Sequence, residues 1–492
     1  MDVLRLASLL ETLPRERTRL LDNLGRLRRE VGPITPELSD ALADHMRLRH
    51  GDVHEVTSFY SFLQAPVDAV RVCTGPVCDS RGAREQLGAG AIEVPCLGHC
   101  DLAPVVLHGD EVVGGVTHST NGFLLEPDDM RNPPELTQDD VLARLESSGL
   151  TGMGGAGFPT WRKWDAVRHE SAPRVVIVNA DEGEPGTIKD RYVLELRPQL
   201  LLEGLAAAMR FCETDEAYIY LREEYATARG VLQQAISERG LSVELVIGAG
   251  AYICGEETAM LESMEGRRGM PRLRPPFPAQ SGYLGRPTLI NNVETLAHVA
   301  RILRGEWQQT RLWSVSGAVG KPGCYEAPLD VTLRELIDGY AGGLVGEPGA
   351  IVPGGAASGI LPPEALDVPL TREALTRWGC GVGSAAVQVF PKEYSPLRLL
   401  AETMRFFAEE SCQKCTPCRI GNRALHHVCE ELEHGRAAMS REQVEEWLDA
   451  MTLTSICGLG QAAPYPVRNA FERWPELFAP LGPAPLGEPA TA

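Results

Sequence analysis

Three cysteines stand within seven residues at Cys412, Cys415 and Cys418, and a fourth, Cys457, follows after 38 intervening positions. No other feature limits the fold of this chain so strongly. Three thiolates so close together suit three corners of an iron–sulfur cubane, and a remote fourth closes the cage. Zinc sites more often join one C-x2-C knuckle to a second pair. A [4Fe–4S] cluster on these four residues is therefore expected, with Gly421, Gly458 and Gly460 leaving backbone N–H groups free to approach sulfur. A second quartet, Cys73, Cys78, Cys96 and Cys100, reads C-x4-C-x17-C-x3-C. Both of its pairs follow strand-like runs, and its spacing alone suits zinc as well as an iron–sulfur cluster.

The chain holds 13 cysteines in all. Its first ten residues mix Asp2 and Arg5 with apolar residues, without the pattern of a secretory leader. No run approaches the ~18 apolar residues of a membrane span. The expected location is cytoplasmic, where disulfides are rare, so metal is left to explain the two quartets. Cys212, Cys254, Cys324, Cys380 and Cys429 are scattered and read as small buried hydrophobes. The 47 Lys and Arg stand against 67 Asp and Glu, a net charge of −20. With no basic track along the chain, nucleic acid is excluded as a partner. The 50 glycines and 36 prolines predict many turns and close approaches of backbone to ligand.

Leucines recur at helical intervals from Leu4 to Leu27, and Thr35 is placed to cap a second helix running through Arg49. A further amphipathic piece covers His54 to Leu63. Strands are expected from Val67 to Val72, Ala91 to Val94 and Pro104 to Leu107. After a polar linker and a helix ending at Gly149 comes a central block in which strands (Arg174 to Asn179, Tyr218 to Leu221, Val243 to Ile247) alternate with helices, one of them around Leu194 to Met209. Alternation of this kind predicts an α/β sheet. Short strands and turns from about residue 310 suggest a small β-rich domain, and the chain turns helical again after Pro396.

Gly152, Gly154 and Gly157 fit G-x-G-x-x-G, but a helix precedes this loop and the strand follows it, which disfavours a standard Rossmann unit. The acidic turn Asn179 to Gly186 leaves a buried-type strand; its carboxylates can hold magnesium, accept from ribose hydroxyls or solvate a turn. Gly248 to Thr258 repeats the theme, with paired acids opening a helix. Asn291 and Asn292 either bind phosphate or cap the next helix. There is no G-x-S-x-G elbow, no H-E-x-x-H and no Walker lysine loop, which argues against acyl transfer, zinc proteolysis and P-loop hydrolysis.

The segments GMGGAGFPTWRKW, VNADEGEPGTIKDRY, GAGAYICGEET, LINNVETLAHV, ESCQKCTPCRIG and SICGLGQAAPYPV resemble the NADH-binding flavoprotein subunit of respiratory complex I. They also resemble its relatives in NAD-reducing hydrogenases and NAD-dependent formate dehydrogenases. EVTSFYSF, VCTGPVC and CLGHCDLAP resemble the thioredoxin-like [2Fe–2S] subunit of the same systems, fused here into one chain. The resemblance implies a multidomain α/β protein. It has an N-terminal helical segment (1–66), a thioredoxin-like [2Fe–2S] domain (67–128) and a Rossmann-like FMN/NADH-binding domain (138–308). An SLBB-type β-grasp domain (310–395) and a C-terminal helical [4Fe–4S] domain (396–492) follow. The [2Fe–2S] cluster falls to Cys73, Cys78, Cys96 and Cys100.

By residue-wise match, FMN meets Gly154, Gly155, Lys163, Asn179, Asp181, Glu182, Gly255, Glu256, Asn291 and Asn292, with Gly152, Gly157, Tyr252 and Thr295 in the same cofactor site. NADH meets Phe158, Glu184, Glu257 and Phe277, the phenylalanines stacking the adenine. Glu257 is implied beside the adenosine ribose, with no neighbouring arginine evident to neutralise a 2′-phosphate. Met153 departs from the family, which usually has Arg there, and the interval between Cys78 and Cys96 is shorter than usual. The implied activity is a diaphorase: hydride passes between nicotinamide and flavin with no catalytic side chain, since the cofactor carries the chemistry. Electrons then pass singly through the clusters to a large catalytic subunit with its own iron–sulfur clusters. A molybdenum or tungsten formate dehydrogenase is the expected partner, and a hydrogenase or complex I the alternative.

Overall fold

The computed structural model describes residues 3–115 and 117–482. The ends of the expected first and last segments, residues 1–2 and 483–492, lie outside the described residues, as does Val116.

Among the described residues the N-terminal segment holds four α-helices, Val3–Glu11, Leu20–Val31, Pro36–Met46 and His50–Phe59. Leu20, Leu21, Leu24 and Leu27 turn into the core, as their spacing predicts. Thr35 caps the third helix by accepting from the Leu38 N–H at 3.4 Å. That helix stops three residues short of Arg49, because Arg47 takes a left-handed conformation (φ 57°) that ends the ladder. A fresh helix then starts at His50, so the piece expected from His54 is its second half plus a 3-10 turn, Ser61–Gln64.

Strands β1 (Val70–Cys73), β2 (Ile92–Val94), β3 (Val106–His108) and β4 (Glu111–Val112) form a sheet in the order β2-β1-β3-β4. β1 and β2 are parallel, and β3 and β4 add antiparallel strands, a thioredoxin-like arrangement. The central sheet holds β5 (Val175–Ala180), β6 (Ala217–Leu221), β7 (Val243–Ile247) and β8 (Thr288–Asn292), all parallel, in the order β7-β6-β5-β8. β5 is apolar on both faces because helices cover both. The helix expected at Leu194 to Met209 is two, Lys189–Leu196 and Pro198–Phe211. Pro198 supplies no N–H to continue the ladder and disfavours helical geometry at Arg197 (φ −134°).

β9 (Thr310–Gly317), β10 (Gly323–Pro328), β11 (Pro348–Val352) and β12 (Ala386–Pro391) form a mixed sheet in the order β10-β9-β12-β11. Its first and last strands lie parallel at the centre, the β-grasp arrangement, and it closes over a core of its own around Trp313, Leu336 and Val387. Helices Pro396–Glu410, Thr416–Glu433 and Arg441–Thr454, two short helices and a 3-10 helix, Pro475–Leu481, complete the described residues. Among the described residues no helix is long and apolar enough to cross a membrane.

Helices Pro198–Phe211 and Val293–Arg304 cover the central sheet in direct contact at Gly204, where a Cβ would fall inside the van der Waals radius of the Leu296 carbonyl oxygen. Neither backbone can yield cheaply. Gly204→Ala is expected to destabilise the protein by about 2 kcal/mol, as overpacking does, read as a lowered urea midpoint at unchanged slope.

Candidate functional site

The C-terminal thiols are brought together by helix ends. Helix Pro396–Glu410 runs into the loop carrying Cys412, Cys415 N-caps helix Thr416–Glu433, Cys418 lies in its first turn, and Cys457 N-caps Gly458–Ala462. Polar groups are aimed at sulfur: Asn422 Nδ2 donates to Cys418 Sγ at 3.3 Å, with Ser411 Oγ 3.2 Å from the same sulfur. The N–H groups of Leu459 and Gly460 face Cys457, and that of Lys414 faces Cys412. At Gly460 a Cβ would come within 2.8 Å of Cys418 Cβ, so no side chain fits there. Burial pushes the Cys418 thiol up to about 12 and that of Cys457 to about 11. They are neutral until a metal displaces their protons.

The N-terminal quartet forms a chain of contacts. Cys73 lies within hydrogen-bond reach of Cys78 and Cys96, and Cys96 within reach of Cys100. All four are buried. Gly75 lets the two ligand loops close, since a Cβ there would meet the Pro95 carbonyl. The N–H of Gly98 donates to Cys96 Sγ at 3.4 Å, and that of Gly186, from the central domain, donates to Cys100 Sγ at 3.3 Å. Among the described residues no three such ligand groups close to the spacing of a single metal ion. Four thiols with N–H donors aimed at sulfur fit the donor set of an iron–sulfur cluster in both quartets.

Between the quartets lie the carboxyl ends of β5 and β8. The chain leaves β5 toward β6 on one side and reaches β8 on the other, so a crevice opens where the strand order reverses. The strand order is that of a doubly wound nucleotide fold although the glycine loop precedes the first strand. Asn179, next to last in β5, donates to the Gly255 carbonyl at 2.8 Å and accepts the Asp181 N–H at 3.1 Å. Asn291 and Asn292 end β8. Trp164 Nε1 donates to Asn291 Oδ1 at 3.0 Å and fixes that amide. Asn292 caps helix Val293–Arg304 through the Thr295 N–H, and its Nδ2 donates to Asp190.

Thr295 Oγ1 accepts the Met153 N–H at 2.9 Å and so fastens the glycine loop to that helix. Gly152 closes the loop by donating to the Phe158 carbonyl at 2.8 Å, and Gly155 (φ 114°) and Gly157 (φ 64°) give it left-handed turns. At Gly154 a Cβ would stand 3.4 Å from Asn292 Cβ. Lys163 Nζ reaches Glu257 at 3.0 Å and the Ile290 carbonyl at 3.1 Å. Asp181 Oδ2 is buried without a partner, and burial raises its carboxyl well above the usual range. A glycine cradle, three amides, a lysine and an orphaned carboxylate oxygen fit a flavin mononucleotide.

Not every expected ligand points into this crevice. Glu182 accepts from the Asp190 and Arg191 N–H groups and from Tyr225 Oη, so its carboxylate caps helix Lys189–Leu196; burial lifts it to about 7. Glu256 caps helix Glu257–Met264 through the Thr258 and Ala259 N–H groups. Tyr252 packs against Phe406 with the rings tilted at 56° and lies over Gly183. Together with Asp181, Cys96, Arg222, Glu224 and Glu410 it lines a small cavity of about 30 Å³. Glu184 turns to the β-grasp domain, accepting the Ala357 N–H at 3.2 Å. Phe158 and Phe277 stay half exposed at the rim.

Three residues of the site escaped the sequence. Trp164 reads as plain helix core, and Asp190 as a charge in a helical run. Arg274 corrects an expectation: its guanidinium lies 3.4 Å from Glu257 and 6.0 Å over the Phe277 ring. The arginine that the adjacent sequence lacked is 17 residues away, on the proline-rich loop that folds back.

Three family models match: the Nuo51 FMN-binding domain at residues 145–301, the NADH-ubiquinone oxidoreductase-F iron–sulfur binding region at 398–480, and the thioredoxin-like [2Fe–2S] ferredoxin at 6–90. An F-type NADH-quinone oxidoreductase chain of Rhizobium meliloti is 41% identical over 376 residues, 70% of this chain and 89% of that protein. Its counterpart in Aquifex aeolicus is 39% identical over 371 residues, 69% of this chain and 85% of its own. The chain belongs to the F-type NADH-quinone oxidoreductase family.

The whole fused chain also has a structural counterpart. A chain of the NAD+-reducing [NiFe]-hydrogenase in the H2-reduced state superposes with a TM-score of 0.85 at 31% identity, covering 96% of this chain and 94% of that one. This F-type relative is thus an oxidoreductase component that binds NADH, FMN, a [2Fe–2S] and a [4Fe–4S] cluster. The ferredoxin match takes in the N-terminal helices together with β1 and the first cysteine pair. Trp164→Phe removes the hydrogen bond that orients Asn291. At about 1 kcal/mol, FMN is expected to bind roughly fivefold more weakly, measured by flavin fluorescence on dilution, with unchanged circular dichroism.

Proposed function

We propose that this chain is the diaphorase subunit of an NAD-dependent formate dehydrogenase, exchanging hydride with NAD(H) and electrons with a larger catalytic subunit. The observation that carries the diaphorase reading is the placement of the amide and glycine crevice at the β5–β8 switch point between two thiol quartets. Bound FMN supplies the hydride site and divides the electron pair into single electrons. The chain's own task is positional. Asn179, Asn291, Asn292 and the Met153 to Phe158 loop hold the flavin, and Asp181 offers it a carboxylate oxygen. Phe158 and Phe277 offer apolar faces to an adenine, and Glu257 accepts from ribose hydroxyls. No side chain is needed as acid or base for the hydride itself.

The terminal substrate belongs to the partner, since neither a molybdopterin nor a nickel site is legible in this chain. The formate reading rests on the fused, compact architecture and on analogy. A hydrogenase partner is the second reading, favoured by the full-length likeness to a hydrogenase chain. Purifying the native complex and measuring NAD reduction with formate and with hydrogen, alongside its molybdenum, tungsten and nickel content, separates them. Hydrogen-dependent activity with nickel overturns the formate reading and leaves the diaphorase intact. Protein with about six irons per chain and FMN is expected to oxidise NADH with an artificial acceptor; no bleaching by NADH overturns both.

Arg274 reshapes what Glu257 does to cofactor choice. A carboxylate and a 2′-phosphate ~4 Å apart repel by about 4 kcal/mol at an effective dielectric near 20, and a guanidinium at similar range offsets much of this. Glu257→Gln is expected to raise kcat/KM for NADPH about tenfold with little change for NADH. The double variant Glu257→Gln, Arg274→Ala is expected to lose that gain. An unaltered cofactor ratio in Glu257→Gln makes Glu257 a structural partner of Lys163 and Arg274.

A further inference from the structure

Helix Pro396–Glu410 delivers the chain to Cys412, and its side face reaches the other quartet. Arg405 Nη2 donates to the Thr74 carbonyl at 2.8 Å and to Thr74 Oγ1 at 2.9 Å. Thr74 is fully buried, directly follows Cys73, and is stitched to the strand before Cys96 through the Val94 carbonyl and Glu93. Arg405 also pairs with Glu93 at 2.9 Å and with Glu402 at 2.8 Å. Glu402 in turn holds Arg84 of the thioredoxin-like unit at 2.9 Å, and Arg84 and Arg398 converge on Asp79, next to Cys78. A guanidinium from the [4Fe–4S] domain therefore touches the peptide between a ligand of the N-terminal cluster and Gly75.

We propose that Arg405 is a positioning residue for the [2Fe–2S] cluster: it fixes the Cys73 loop against the C-terminal domain and raises the potential of that cluster. The proposal rests on Cys73, Cys78, Cys96 and Cys100 holding the cluster. Each electron accepted from the flavin adds one negative charge beside Thr74. A cation 13% exposed and hydrogen-bonded to the ligand loop favours that charge, because cluster potentials follow nearby charge, hydrogen bonds and solvent exposure. Arginine suits the place because its planar, five-donor fork serves Thr74, Glu93, Glu402 and Glu409 at fixed angles.

Redox titration of the full chain by electron paramagnetic resonance tests this with Arg405→Met and Arg405→Lys. Arg405→Met is expected to disfavour reduction of the [2Fe–2S] cluster about tenfold, 59 mV for one electron, with the [4Fe–4S] signal in place. Arg405→Lys recovers part of the shift. If Arg405→Met fails to assemble the [2Fe–2S] cluster, its assembly in Arg405→Lys with a lowered potential still supports the role. A [2Fe–2S] potential within twofold of wild type in Arg405→Met overturns it, as does loss of both clusters in both variants, which marks a folding role. Absence of a [2Fe–2S] signal in the wild type overturns the ligand assignment instead.

Discussion

The arrangement of this chain depends on one buried ammonium. Lys189, 1% exposed, lies 2.7 Å from Asp190 and 3.2 Å from Glu294, which is itself fully buried. Burial pulls the lysine's pKa down, and Asp190, Glu294 and Glu182 together outweigh it, so the lysine stays charged. Burial likewise lifts Glu294, but Lys189, His298 and Arg311 bring it to about 2. Both carboxylates are then tied to backbone or amide groups: Asp190 takes the Asn292 amide and the Glu294 N–H, and Glu294 takes the Leu312 N–H at 2.6 Å. Three elements meet on one cation, namely the end of β8, the start of the helix after it and the first strand of the β-grasp domain. Removing one partner of such a buried group typically costs about 3–5 kcal/mol, because the remaining charge is stranded.

From that anchor the segment Asp181 to Asp190 reaches every neighbour. Thr187 meets Ser384 at 2.7 Å, the Ile188 N–H donates to Ser314, and Gln388 donates to the Pro185 carbonyl at 3.2 Å. Gly186 turns at φ 91°, where a side chain would collide with Gln388, and its N–H faces Cys100. Flavin crevice, β-grasp domain and N-terminal cluster are thus held by one stretch of ten residues. Its glycines and acids are explained by what surrounds it on each side. Local turn chemistry alone does not demand them.

Long-range contacts of this kind are what spacing along the chain cannot report. The C-terminal quartet is legible in the sequence because three ligands are local, and spacing reports local geometry directly. The N-terminal quartet is ambiguous in spacing, since what favours a cluster is N–H donors arriving from Gly98 and from Gly186, the latter 86 positions beyond Cys100. Adjacent acids are harder still: in Glu256-Glu257 the first caps its helix and the second faces Lys163, a division set by the phase of the chain entering the helix. Arg274 and Trp164 contribute through folding-back and hydrogen bonding that no periodicity encodes.

The glycine loop gives the reason why a nucleotide fold can be built with its motif on the wrong side of the first strand. In a βαβ unit the loop follows the strand and opens the first helix, so loop and helix N-terminus are fixed by chain continuity. Here helix Thr160–Arg168 separates the loop from β5, and the helix N-terminus beside it belongs to Val293–Arg304, over 130 residues later. Continuity is replaced by a hydrogen bond, the Met153 N–H to Thr295 Oγ1, with Asn292 capping the same helix. Because the backbone of Met153 makes that bond, its side chain is free to serve the core, where it is 4% exposed. The departure from the family's usual arginine at this position therefore leaves the fastening of the loop intact.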